Sequence, residues 1–102
     1  MRALIENNRE EIKKIATLHY VDSLAVFGSV AKNELNDDSD IDLLVEFSDS
    51  LPVIDYADNY FSLLENLERV FNRKVDLVTS SSLKNPILID EILQTKIELY
   101  AA

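Results

Sequence analysis

The chain has a single glycine among its 102 residues, Gly28, and it closes the short apolar run Leu24-Ala25-Val26-Phe27. Ordinary composition would supply roughly seven. A glycine kept at the end of a strand marks a turn or a place where backbone must come close to something without a side chain in the way. Ser29 follows it, and its hydroxyl can donate a hydrogen bond. The amides that open the next turn are an anion site if that turn is helical.

The second constraint lies eleven residues past Ser29, in Asp40-Ile41-Asp42-Leu43-Leu44-Val45-Glu46-Phe47. Its alternation predicts a strand over 41–47, with Ile41, Leu43, Val45 and Phe47 on one face and Asp42, Leu44 and Glu46 on the other. Asp40 and Asp42, two residues apart, aim their carboxylates the same way while Ile41 packs oppositely. Aspartate is disfavoured in strands, and at about 4 Å and an effective dielectric near 20 each like-charged pair costs about 4 kcal/mol before screening. Such carboxylates spread into solvent, take up protons or bind a cation. A hard divalent ion such as Mg²⁺, with phosphate oxygens completing its shell, is the natural counter-ion. Asp76 interrupts a further apolar run, Val75-Asp76-Leu77-Val78. It joins the pair if its strand lies beside 41–47, and there it could also receive a proton from an attacking hydroxyl.

The remaining pattern predicts an α/β (α+β) fold, a small mixed sheet packed by helices. Helical spacing of Leu4, Ile5, Ile12, Ile15, Ala16 and Leu18 predicts a helix over 4–19, and Ala57, Tyr60, Phe61, Leu64, Leu67 and Phe71 predict another whose aromatic stripe is core. Residues 30–35 make a short helix or turn, and 36–39 a turn. Pro86 starts a helix reaching residue 94, and 96–100 read as a last strand. The brief link between the first two strands permits an antiparallel pair. The length predicts one domain, 1–102.

Composition narrows the function. The chain is 47% apolar and 28% charged, with 19 acidic against 10 basic side chains, which argues against a broad nucleic-acid footprint. No apolar run suits a membrane span. The absence of cysteine removes disulfides and thiolate metal sites and fits a cytoplasmic location. A calcium loop beginning at Asp38 would want glycine at the position of Leu43 and glutamate at that of Asp49. A P-loop would want Gly-Lys-Ser/Thr after Gly28. Neither is present. His19, the lone histidine, reads as a helix-end residue, and Arg69, Arg73 and Lys74 as cations at a helix C-terminus.

Gly28-Ser29, ten intervening residues, Asp40-Ile41-Asp42 and the later strand with Asp76 together resemble the signature of the polymerase-beta-like nucleotidyltransferase superfamily, in its minimal nucleotidyltransferase (MNT) branch. The resemblance covers residues 21–100. It implies the nucleotidyltransferase fold and ATP as donor, with Mg²⁺ held by Asp40 and Asp42 and a third acidic, catalytic and metal-binding role for Asp76. Gly28, Ser29 and Lys32 then grip the phosphates. Val30 follows Ser29 where many members carry arginine, and Lys32-Asn33 stand where they carry Arg-Gly; Lys32 offers a point charge instead of a bidentate fork. The resemblance further implies a HEPN-domain toxin as partner, with AMP moved from ATP to a toxin tyrosine. An acidic surface suits a basic partner. Neutralisation by binding alone, and an aminoglycoside-type small-molecule transferase, are the alternatives. Assembly as a homo-oligomer stays open.

Overall fold

The computed structural model describes residues 2–28 and 40–102. Ser29, Lys32 and the expected turns at 30–39 lie outside the described residues.

The N-terminal helix is two helices, α1 (Arg2–Asn7) and α2 (Arg9–Leu18), where the spacing predicts one. Asn8 makes the break. Its side-chain amide donates to Leu4 O at 2.8 Å and its backbone N–H turns to Ile5 O at 3.2 Å. Asparagine competes in this way with the regular helical ladder. Strand β1 (Val21–Phe27) follows, longer than the apolar run alone suggests, and β2 is Ile41–Phe47. A 3₁₀ turn at Val53–Asp55 leads into α3 (Tyr56–Phe71), then β3 (Val75–Thr79), a second 3₁₀ turn, α4 (Pro86–Thr95) and β4 (Ile97–Ala101).

The four strands form one mixed sheet in the order β3-β2-β1-β4. β1 is antiparallel to β2 and to β4, whereas β2 and β3 are parallel. The parallel pair needs a crossover, which α3 provides. Leu24, Val26, Ile41, Leu43, Val45, Val75 and Leu77 project from one face into a single buried cluster with Ile12, Ile15 and Ala16 of α2 and Leu63, Leu67 and Phe71 of α3. This face carries most of the apolar burial, at roughly 1.5–3 kcal/mol per large side chain. Within α3 the buried stripe is Leu63, Leu67 and Phe71, with Tyr60 and Leu64 half-buried against it, while Phe61 is 63% exposed. The expected assignment of Phe61 to the core is therefore corrected: it lies one position round the helix from Tyr60.

Helix ends follow their local chemistry. Asn72, in the left-handed region at φ 53, terminates α3, a conformation asparagine tolerates better than other non-glycine residues. Pro86 opens α4 as expected, and Asn85 caps it by accepting from the Ile87 and Leu88 N–H groups. His19 is structural: Nδ1 donates to Ile15 O at 2.7 Å and Nε2 is hydrogen-bonded to the Ser62 hydroxyl at 2.9 Å. Among the described residues no helix is long and apolar enough to cross a membrane.

Candidate active site

The sheet brings two of the sequence-derived site residues together by register. Asp42 on β2 pairs with Asp76 on the adjacent parallel β3 and, on its other side, with Phe27 at the end of β1. Paired residues share a face, so the two carboxylates leave the sheet side by side, opposite the face that buries Ile41 and Leu43. Asp40 precedes β2 and is exposed, Asp42 is half-buried and Asp76 is exposed. Ile41 holds this arrangement in place: its side chain is buried and its N–H donates to Lys74 O at 3.0 Å.

Gly28 follows Phe27 at φ +73, in the left-handed region that β-carbons disfavour. A Cβ added there would overlap Asp42 Oδ2 and stand 3.3 Å from Asp42 Cγ. The solitary glycine thus has two causes, its backbone conformation and the proximity of the Asp42 carboxylate. Close approach was expected; that the neighbour is a side chain of the chain itself was not legible.

Electrostatics follow from the register. Partial burial raises the Asp42 pKa above the ordinary carboxylate value, and the negative charges of Asp76 and Asp40 raise it further. The Tyr60 phenol is raised for a related reason, burial first, then Asp76 and Tyr56. Tyr60 therefore stands within electrostatic reach of Asp76, while its hydroxyl donates to Leu77 O. Sequence reasoning missed this tyrosine as a neighbour of the site because its helical spacing reads as core.

Among the described residues, no three acidic, imidazole or thiol side chains converge tightly enough to enclose a metal as they stand. Asp42 and Asp76 are paired side by side and Asp40 lies near enough for its charge to act on Asp42, without forming a closed cage. Their chemistry fits a hard divalent cation: all donors are oxygens, and the mutual repulsion that lifts Asp42 is relieved by positive charge.

The polymerase beta nucleotidyltransferase family profile matches residues 10–102. The chain belongs to that family. Protein adenylyltransferase MntA of Thermococcus cleftensis is 37% identical over 86 residues, covering 76% of this chain and 83% of that one. A solved structure assigned as a minimal nucleotidyltransferase superposes with TM-score 0.68 at 33% identity, covering 90% of this chain and 89% of that one. A chain from a complex of tri-AMPylated Shewanella oneidensis HEPN toxin with MNT antitoxin shares the fold at TM-score 0.63 and 22% identity, covering 96% of this chain and 73% of that one. The nucleotidyltransferase fold and the nucleotidyltransferase class expected from Gly28, Asp40, Asp42 and Asp76 are both borne out.

Proposed function

We propose that this chain is an Mg²⁺-dependent protein adenylyltransferase, with 1–102 as its catalytic domain, that moves AMP from ATP to a tyrosine hydroxyl of a HEPN-type toxin and thereby acts as its antitoxin. The observation that carries the reading is the in-register pairing of Asp42 with Asp76 on parallel strands beside the Gly28 turn. The names of the relatives support the protein acceptor and the partner class.

In the reaction the tyrosine oxygen attacks the α-phosphorus of ATP in line. A new O–P bond forms, the bond from that phosphorus to the bridging oxygen breaks, and pyrophosphate leaves with the electron pair. Asp76, on the outer strand, accepts the phenolic proton. Asp40 and Asp42, joined by Asp76, are the residues that would hold Mg²⁺, which when bound neutralises phosphate charge and polarises the α-phosphoryl group. Gly28 leaves the approach to Asp42 open to a phosphate, and Ser29 and Lys32 are proposed to contact the leaving pyrophosphate.

The test is base-labelled ATP with Mg²⁺ and the HEPN-type toxin of the native host, comparing wild type with Asp40→Asn/Asp42→Asn. Label on the toxin with wild type alone, lost when toxin tyrosines are changed to phenylalanine, is the expected result. No label from wild type, together with full neutralisation of the toxin by the double variant, would leave occlusion as the function and refute transfer.

A further inference from the structure

The order β3-β2-β1 separates the two ends of the proposed reaction: the Gly28 turn lies on the β1 side of Asp42, and Asp76 on the β3 side. β3 is the edge strand and Asp76 is exposed, so the edge is one open route to its carboxylate. A groove of about 470 Å³ runs there between α3 and β3, lined by Tyr56, Tyr60, Phe61, Leu77, Val78 and Ser82 among others, with no charged side chain in its wall. It adjoins the site, because Leu77 follows Asp76 and Val78 shares its face of the sheet.

The edge itself is occupied. Since Ile41 N–H donates to Lys74 O, the parallel ladder turns the backbone groups of Val75, Leu77 and Thr79 outward. Glu68 Oε2 accepts from Val75 N at 3.0 Å, Tyr60 donates to Leu77 O, and Ser82 Oγ donates to Thr79 O at 2.8 Å. Side chains of the chain itself thus take up three of the six outward backbone groups that an added strand would use. Beyond the groove the surface is mixed, with Glu46, Asp49 and serines beside apolar side chains. Tyr56 and Thr79 also line a second recess that includes Val53, and Val53 and Ile54 are 92% and 90% exposed. A nucleotide base would occupy part of the groove and leave these two in water, whereas a protein segment is long enough to cover both.

We infer that this groove and the Val53-Ile54 ridge dock the segment of the acceptor protein that carries the tyrosine, through side-chain packing and not strand addition. The inference rests on the proposed transfer reaction and assigns its acceptor subsite. Phe61 and Ile54 are the anchors, uncharged and aimed outward, as suits an apolar segment with a phenol at its tip.

Two measurements test it on the full chain with the purified HEPN-type toxin. Steady-state transfer is followed for Phe61→Ala and Ile54→Ser, whose exposure lets them fold. Toxin affinity is measured separately with the same changes placed in Asp40→Asn/Asp42→Asn, which needs no turnover. The expected result is a rise of tenfold or more in KM for toxin with KM for ATP unchanged, and a matching loss of affinity. Loss of affinity in the absence of any transfer by wild type would overturn the reaction and keep the docking surface. Toxin KM and affinity within twofold of wild type would overturn the docking surface and keep the reaction. A tenfold rise in ATP KM alone would assign the groove to the nucleotide base and overturn the inference.

Discussion

Replacing Gly28 with alanine isolates the reason for the chain's single glycine. At φ +73 an alanine pays about 1–2 kcal/mol for the left-handed conformation. Its Cβ would also overlap Asp42 Oδ2, and swinging that carboxylate off its rotamer costs about 1 kcal/mol. Against this, alanine reduces the freedom of the unfolded chain, which returns about 0.4–1 kcal/mol. The net loss is about 1–3 kcal/mol, and at about 4–8 °C per kcal/mol for a domain of this size the Tm falls by about 10 °C. Thermal and urea unfolding of wild type, Gly28→Ala, Asp42→Ala and the double variant separate the two causes. Removing the Asp42 side chain leaves the backbone strain and lifts the overlap, so the pair should couple by about 1 kcal/mol. Additive single changes would refute the Asp42 contact. A Gly28→Ala protein within about 0.5 kcal/mol of wild type would refute the backbone argument as well.

Asp42→Asn should stabilise the metal-free protein at pH 7. A carboxyl whose folded pKa is raised contributes stability below its unfolded value, about 3.9, and loses that contribution as pH climbs through the folded value. The gain from amidation is therefore absent near pH 3 and complete at neutral pH, and solvent screening of this partly exposed group holds it under about 1 kcal/mol; a pH-independent Tm difference would refute the raised pKa that burial and the neighbouring carboxylates impose. Asn85→Ala removes the cap of α4 and should cost about 1 kcal/mol in urea unfolding, with Asn85→Ser recovering most of it. Leu67→Ala, at a fully buried position facing the sheet, should cost about 2–5 kcal/mol, and a loss below 1 kcal/mol would mean that α3 does not carry the core.

Much of this was legible because alternation and helical spacing are local signals. Ile41, Leu43 and Val45 face the core as their period requires, and Pro86 opens α4. Register is not local. Nothing within Val75-Asp76-Leu77 says which residue of β2 it will meet, so the pairing of Asp76 with Asp42 needed the sheet itself. Asn8 was hidden for a similar reason, since its side-chain bond to Leu4 O breaks a helix whose apolar period continues across it. Phe61 misled because hydrophobicity marks both core and contact surface, and a single residue, about 100° of helix, separates the two.

The position of β4 has a consequence during synthesis. β1 pairs with β2 on one side and with β4 on the other, through partners as distant as Leu24 and Tyr100. After Phe47 has left the ribosome, 54 more residues (101 − 47) must be translated before Ala101 completes β4. At about 5–20 residues per second, that is about 3–11 s. Throughout that interval the outer edge of β1 lacks its native neighbour and offers its backbone to any strand nearby, so the nascent chain is most open to mispairing before its final strand emerges.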